Sequence, residues 1–226
     1  KSVIRPIWSS TKIIRWVASI VAVVGLTWYA YDYWGNRPSE LYTQTVATVV
    51  SNPEILETFN KSSEPMVITL PDGSSVILQP KSRISYPSQF EDSVRAVVLS
   101  GEAFFEVAKN PQQPFLVYAN ELITKVLGTS FTIKAFANDT QVKVIVKTGK
   151  VWVYTTKAAQ NPQAIEAKAQ ATLAPNQQIT LLREKLALQK VNISAQMIRE
   201  LPSIQTQSFE FKHTPLSDVF QMLAST

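Results

Sequence analysis

The stretch VLGTSFTI, residues 126–133, places a glycine and a threonine between two segments that both predict β-strand, ELITKVL and FTIKAF. A glycine inside a strand weakens it and usually marks a bulge, a bend or a close approach of backbone. The threonine beside it carries a hydroxyl, which becomes a nucleophile when a neighbouring group activates it. Gly128-Thr129 is therefore either a bend between two strands or a peptide bond that the chain uses.

Few other residues have the types or spacing for catalysis. Glu102 and Glu106 are four residues apart, so on a strand they would share a face as a carboxylate pair, or form the solvated face of GEAFFEVAKN. His213 is the only histidine, and a Ser-His-Asp triad would need it. The sequence has no cysteine, glycine-rich phosphate loop, nucleophile elbow or metal-ligand spacing. We therefore expect no multi-turnover enzyme, cofactor or metal.

Positive charge is concentrated at the N-terminus. The net charge is +5, and residues 1–34 hold four cations and one acid, leaving 18 cations and 16 acids in the remainder. No basic stripe with interleaved aromatic residues follows, so nucleic acid is not an expected partner.

An apolar run near the N-terminus predicts a membrane anchor. The segment IIRWVASIVAVVGLTWYAYDYW has sixteen uncharged residues between Arg15 and Asp32. A spanning helix needs about 20 residues, and Arg15 can snorkel while Ile13 and Ile14 lengthen the run. Aromatic residues crowd both ends, and the upstream cations place the N-terminus in the cytoplasm. A buried core helix and a cleaved signal peptide are the alternatives, although YAYDYW is a poor cleavage site.

The chain then changes to a period of two residues. MVITL, the turn PDGS and SVILQ predict a hairpin. Further predicted strands are VRAVVL, EAFFEVA, FLVY, LITKVL, FTIKAF, QVKVIVK, KVWVYT, QITLL and LALQKV, with Ser100-Gly101 separating the first two. About a dozen short strands at this spacing predict an all-β domain, as a sandwich, barrel or solenoid.

The segments on either side of this domain carry weaker signals. Residues 35–65 are expected to be a tether, with a short helix starting at Ser51 or Asn52. After a polar connector, FEF predicts a strand, and Thr214 with Pro215 predicts the start of an amphipathic helix. Because the chain begins with Lys1 and stops inside that helix, we expect it to be a piece of a longer protein.

Three motifs carry a resemblance to a known family. LPDGSSVILQPKSRISYPSQF, RAVVLSGEAFFEVAKNPQQPFLV and VLGTSFTI, in this order, resemble the periplasmic domain of FecR-type transmembrane anti-sigma factors, most closely those of the Bacteroidetes. The resemblance covers roughly residues 65–190 and favours a solenoid-like β domain. FEFKHTPLSDVFQMLA resembles the start of the secretin/TonB-type module that follows in this family.

The resemblance implies a single-pass inner-membrane regulator that is mainly β. The expected organisation is a cytoplasmic flank (1–12), a transmembrane helix (13–34), a periplasmic linker (35–65), an all-β FecR-like domain (66–191), a connector (192–207) and a truncated α+β module (208–226). The implied partners are the signalling domain of a TonB-dependent outer-membrane transporter and an extracytoplasmic-function (ECF) sigma factor. The sigma factor would bind a cytoplasmic domain that precedes residue 1.

The resemblance also gives Gly128-Thr129 a role, because some members of the family cut themselves at the matching Gly-Thr. Thr129 Oγ1 can attack the Gly128 carbonyl in an N-to-O acyl shift, and strain at the glycine would lower the barrier. The sequence does not identify the activating base, for which Lys125 and Glu121 are guesses. The alternative is that Gly128 is a bulge and Thr129 a strand residue.

A second function is compatible with the same pattern. The domain could be a membrane-anchored glycan-binding or adhesion module, with Trp152 and Tyr154 stacking on a sugar ring. Against this, we expect Trp152 to pack in the core, with Tyr154 on the same side of the strand.

Overall fold

The computed structural model describes residues 20–27, 39–49, 54–156, 170–185 and 187–202. These residues are mainly β, which confirms that part of the predicted fold class. The two helices with assigned bounds are α1 (Glu40–Val49) and α2 (Ala195–Arg199). The strands are β1 (Ile55–Phe59), β2 (Met66–Thr69), β3 (Ser75–Leu78), β4 (Arg83–Pro87), β5 (Arg95–Glu106), β6 (Phe115–Ala119), β7 (Leu122–Val126), β8 (Ser130–Ala135), β9 (Gln141–Thr148), β10 (Val151–Thr155), β11 (Gln170–Leu173), β12 (Gln177–Leu182) and β13 (Ala187–Asn192).

The strands form two sheets that share β5. Sheet A has the order β1-β4-β5-β6-β7-β10-β11, and sheet B has the order β2-β3-β5-β8-β9-β12-β13. All pairs are antiparallel except β5 with β6. The N-terminal half of β5 lies in sheet A and its C-terminal half in sheet B. The domain is thus a barrel-like, two-layered sheet that is continuous through one long strand.

Glycine at position 101 makes this continuity possible. Ser100 pairs with Arg83 in sheet A, and Gly101 pairs with Ala135 in sheet B. Gly101 has φ +108°, and a Cβ there would lie 2.7 Å from Ser82 Cα. The backbone can therefore turn from one sheet into the other only with glycine at this position. The two strands that we expected on either side of Ser100-Gly101 are one bent strand.

A single hydrophobic core fills the space between the sheets. Val97 and Leu99 of sheet A belong to the same buried cluster as Phe105 and Phe131 of sheet B. The rings of Phe105 and Phe131 stack with centroids 5.2 Å apart. Two sheets over one shared core correspond to the sandwich or barrel alternative, so the solenoid-like arrangement favoured by the resemblance is wrong for the described residues.

The helix predicted to start at Ser51 or Asn52 is also wrong where the structure describes the chain. Ile55–Phe59 is a strand, β1, which pairs along its whole length with β4. The strand lies within the range 35–65 that we predicted as a tether. Pairing with β4 satisfies the backbone groups of this segment, and no local sequence signal reports such a distant partner.

The helix α1 packs on the outer face of sheet A. Tyr42 of α1 is buried against Val98 of β5, with Val46 and Tyr118 packed beside them. The Tyr42 hydroxyl lies 2.6 Å from Ser85 Oγ on β4, a hydrogen bond that fixes the helix in position. Burial raises the pKa of Tyr42 well above its usual value, so its phenol stays neutral.

Two predicted segments fall mostly outside the described residues. Residues 20–27 are helical, with the large apolar side chains of Ile20, Val21 and Leu26 exposed, but the rest of the predicted transmembrane segment 13–34 is outside them. Within the described ranges, no helix has both the length and the apolar character needed to cross a membrane. Residues 203–226, which include His213 and the predicted C-terminal module, also lie outside.

Candidate functional site

Gly128 and Thr129 lie at the bend where the chain leaves β7 of sheet A and enters β8 of sheet B. Gly128 has φ +145°, which residues with a side chain rarely adopt. A Cβ on Gly128 would also lie 2.6 Å from Lys109 Cα. Both the backbone angle and the lack of space therefore require glycine here.

The segment that follows β5 holds this bend from one side. The amide of Val107 donates to the Thr129 carbonyl at 3.0 Å, and the amide of Asn110 donates to the Leu127 carbonyl at 2.9 Å. The Gly128 carbonyl, the electrophile of the predicted acyl shift, lies between these two anchored carbonyls. The peptide bond that would break is thus fixed by hydrogen bonds on both sides.

The turn between β9 and β10 approaches the bend from the other side. Gly149 has φ +80°, and a Cβ there would lie 2.5 Å from Thr129 Cγ2 and 3.1 Å from the Gly128 carbonyl oxygen. The amide of Ser130 donates to Thr148 Oγ1 at 3.1 Å, and the β8–β9 ladder shifts register there. The sequence predicts Thr148-Gly149 only as a turn, and no local pattern indicates that this turn confines Thr129.

The Thr129 hydroxyl is buried and has no hydrogen-bond partner within the described structure. An unpaired buried hydroxyl is uncommon and calls for an explanation. Thr124 and Thr132 share this property, so it does not single out Thr129. Only Thr129 combines it with a glycine of positive φ immediately before it.

The structure does not support either predicted base. Glu121 precedes β7, at the opposite end of that strand from Thr129, and accepts from Arg183 Nε at 3.1 Å. Lys125 lines a groove on the outer face of sheet A together with Trp152. Neither side chain is hydrogen-bonded to Thr129 Oγ1, so within the described residues the nucleophile and the electrophile of the bend have no hydrogen-bonded side-chain base.

Glu102 and Glu106, the two glutamates of GEAFFEVAKN, both lie on β5. Glu102 forms an ion pair with Lys134 at 3.2 Å, and Glu106 is exposed. Both side chains lie on the solvated face of β5, which is the second of the two interpretations given for GEAFFEVAKN. Among the described residues, no cluster of histidine and carboxylate side chains could hold a metal ion.

The expectation for Trp152 is wrong. In β10, Val151 and Val153 face the core and are almost fully buried, whereas Trp152 and Tyr154 are only half-buried on the opposite face. Valine alternates with an aromatic residue in VWVY, so alternation alone could not decide which face would be buried.

Substitution of Gly149 tests how tightly the bend is packed. We expect Gly149→Ala to lower stability by about 1–3 kcal/mol more than Gly73→Ala, because only the new methyl group at 149 meets Thr129. Gly73 is a matched control, since its φ is +79° and its surroundings are open within 4 Å. Thermal unfolding followed by near-ultraviolet circular dichroism compares the two variants. Equal destabilisation would show that the turn does not confine Thr129.

Comparison with known proteins gives two kinds of match. A family model described as FecR protein matches residues 57–152, a range that contains Gly128-Thr129. Crystal structures at 2.50 and 1.65 Å resolution of a candidate anti-sigma factor from Parabacteroides distasonis ATCC 8503 are 32% identical, each with a TM-score of 0.56. They cover 75% and 74% of this chain and 73% of their own. No curated protein matches the chain.

Proposed function

The chain belongs to the FecR family and is an anti-sigma regulator with a sigma factor as its partner. We propose that it relays a signal across the cell envelope. The signal enters from the signalling domain of a TonB-dependent outer-membrane transporter. It leaves through an ECF sigma factor bound to a cytoplasmic domain upstream of residue 1. This chain supplies the inner-membrane anchor, with its N-terminus in the cytoplasm, and the periplasmic β domain.

The docking of α1 is the observation that best supports a relay. This helix lies between the apolar N-terminal run and the β domain, and it is held on sheet A by the buried Tyr42 and its hydrogen bond to Ser85. The segment that follows the predicted anchor in the sequence is therefore held on sheet A by a packed contact. A change in the domain can reach the anchor by loosening or tightening that contact.

The C-terminal end of the domain is tied to the other sheet. Lys147 on β9 of sheet B donates to the carbonyl of Pro202 at 3.2 Å, and Ile198 of α2 is buried. The segment that leads towards the transporter side thus contacts sheet B, whereas α1 contacts sheet A. In this proposal the β domain connects the segment that receives the signal with the segment that passes it to the anchor.

Self-cleavage at Gly128-Thr129 is the second part of the proposal. Thr129 Oγ1 attacks the Gly128 carbonyl carbon, the C–N bond breaks, and the nitrogen takes up the proton as the free amine of Thr129. Water then hydrolyses the ester, leaving a carboxylate on Gly128 and restoring the hydroxyl of Thr129. The confined bend supports this step because it holds the scissile bond in a conformation that other residues avoid.

Cleavage would leave the domain assembled. The two products would still pair through β5 with β8 and through β7 with β10, which lie on opposite sides of the cut. All the backbone hydrogen bonds of these two ladders survive the loss of one peptide bond. The cleaved domain is therefore a non-covalent complex that a pull on one terminus could separate, and this separation would release the signal.

The relay is tested by weakening the contact between α1 and sheet A in cells that carry a reporter for the sigma factor's target promoter. Deleting the gene should abolish regulation of the reporter by the transporter's ligand. Tyr42→Phe with Ser85→Ala should change the uninduced reporter level several-fold at equal protein abundance. Thr48→Ala, on the exposed side of the same helix, is the control and should change nothing.

The partner on the input side is tested directly with purified proteins. The detergent-solubilised full chain should bind the isolated signalling domain of the transporter in isothermal titration calorimetry. A reporter that keeps its regulation in the deletion strain, or a chain that binds no transporter signalling domain, would contradict the relay.

A further inference from the structure

The outer face of sheet A is divided between a covered part and an open groove. The helix α1 covers Val98 and Tyr118 on β5 and β6. Beyond it, an open groove of about 780 Å³ lies over β7, β10 and β11, and we call it the Trp152 groove. Its lining includes Pro114, Lys125, Trp152, Tyr154, Gln170 and Thr172. This volume lies within the range of small-molecule sites.

Strand register places the lining side chains in two rows. Trp152 pairs with Lys125 on one side and with Thr172 on the other. Tyr154 pairs with Ile123 and Gln170 in the next row. Residues opposite each other in antiparallel strands point to the same face, so two aromatic side chains lie side by side with polar groups next to them.

The chemistry of the lining indicates a ligand that combines apolar faces with many hydroxyl groups. Indole and phenol rings offer flat apolar faces whose negative quadrupole attracts C–H groups. Gln170 and Thr172 can each donate and accept hydrogen bonds, and Lys125 adds three donors. Among the described residues that line the groove, none carries a carboxylate. We propose that the Trp152 groove binds a short carbohydrate chain, with one sugar ring stacked on Trp152 and its hydroxyls bonded to Lys125, Gln170 and Thr172.

A peptide fits this floor less well. The backbone groups of β10 are already paired with β7 on one side and β11 on the other. The β10 part of the floor therefore offers side chains and no free amides, whereas an extended peptide gains most of its affinity from main-chain hydrogen bonds to a sheet edge, which at this end of sheet A is the short strand β11. A sugar needs side-chain donors, acceptors and aromatic planes, and these are what the groove supplies.

A ligand in the groove would lie close to the contact of α1 with sheet A and to the bend at Gly128-Thr129. Tyr118 and Tyr154 pair with Ile123 from its two sides, and Tyr118 packs against the Tyr42–Val98 contact of α1. Leu127, at the end of the groove, directly precedes Gly128. Sugar binding is nevertheless independent of the anti-sigma role, because the relay could operate with the groove empty.

The sequence allows a specific optical test. Trp152 is the only one of five tryptophans that lies after residue 34. In the full chain, replacing the other four by phenylalanine leaves Trp152 as the sole indole. The protein is held in a detergent without a sugar headgroup and titrated with cellotetraose, maltotetraose, xylotetraose and chitotetraose. We expect at least one of them to shift the Trp152 emission with saturation at or below about 10 mM.

Variants separate stacking from a general loss of structure. Trp152→Ala, followed by calorimetry on the otherwise native chain, should weaken binding at least about tenfold, and Trp152→Phe should weaken it less. Gln170→Ala and Thr172→Ala should each weaken binding a few-fold while leaving the melting temperature unchanged. Phe136→Ala, outside the groove, is the control and should leave sugar affinity intact.

Three outcomes would overturn the proposal. The first is no response to any of the four tetrasaccharides, and the second is an affinity that Trp152→Phe and Gln170→Ala both leave unchanged. The third is saturable binding of an unstructured peptide library in the same groove without sugar binding. None of them bears on the reporter and transporter experiments, so failure of this proposal remains distinguishable from failure of the relay.

Discussion

Replacing Thr129 by alanine is expected to leave the chain as one polypeptide, whereas the wild type should separate on a denaturing gel into residues 1–128 and 129–226. The reason is that Thr129 Oγ1 is the only atom of this side chain that can attack the Gly128 carbonyl. Without that hydroxyl there is no nucleophile, so cleavage should stop and not only become slower. The chain should be expressed in a membrane with a tag at each end, and intact mass spectrometry should locate the new termini.

Three control variants make the result specific. Thr129→Ser keeps a hydroxyl and should still be cleaved. Thr124→Ala and Thr132→Ala each remove a buried hydroxyl that likewise has no partner among the described residues, and both should be cleaved like the wild type. A wild type that stays intact under all conditions would return Gly128-Thr129 to the role of a strand bend. The relay would then depend on binding alone or on other proteases.

Arg95→Ala is expected to destabilise the β domain by about 3–5 kcal/mol, because it leaves a buried ion pair without one partner. The Arg95 side chain is only 1% exposed, and its Nη1 lies 2.6 Å from Asp72 Oδ2. The same guanidinium donates to the carbonyls of Ala108 and Gln113 and lies 5.4 Å from the ring centroid of Phe115. The substitution therefore leaves the Asp72 carboxylate and the carbonyls of Ala108 and Gln113 without the guanidinium that donates to them.

The measurement is chemical denaturation of the full chain, followed by near-ultraviolet circular dichroism. Lys134→Ala is the matched control, since it removes an ion pair with Glu102 whose side chains are 46% and 31% exposed, and it should cost at most about 1 kcal/mol. Combining Arg95→Ala with Asp72→Asn should recover part of the lost stability, because the double variant no longer has an unpaired carboxylate at position 72. Equal effects of Arg95→Ala and Lys134→Ala would show that the buried pair is not a structural centre of the domain.

Arg95 also illustrates what local patterns omit. Asp72 is explained by its turn, where its carboxylate accepts from the Ser74 amide and hydroxyl. In the sequence alone, Arg95 is a single cation at the start of an apolar predicted strand. Their pairing joins positions far apart in the sequence, and only the packing of β5 against the β2–β3 turn brings them together.

Several features of this protein are determined by the sequence alone. The two-residue period from Met66 onwards predicts a mainly β domain, because alternation follows from the geometry of a strand. The motifs GEAFFEVAK and VLGTSF indicate the FecR family, and Gly128 is correctly placed at a break between two strands. These are local properties, since propensity, turn chemistry and short motifs depend on neighbouring residues.

Only the tertiary structure decides which segments meet and which faces are buried. It shows that VRAVVL and EAFFEVA are one strand bent at Gly101, that β1 completes the edge of sheet A, and that Trp152 points away from the core. It also brings Lys109 and Gly149 against the bend at Gly128-Thr129 from opposite sides. A two-residue period establishes that side chains alternate between the two faces of a strand, but not which face is buried. The close approach of distant segments follows from packing two sheets over one core.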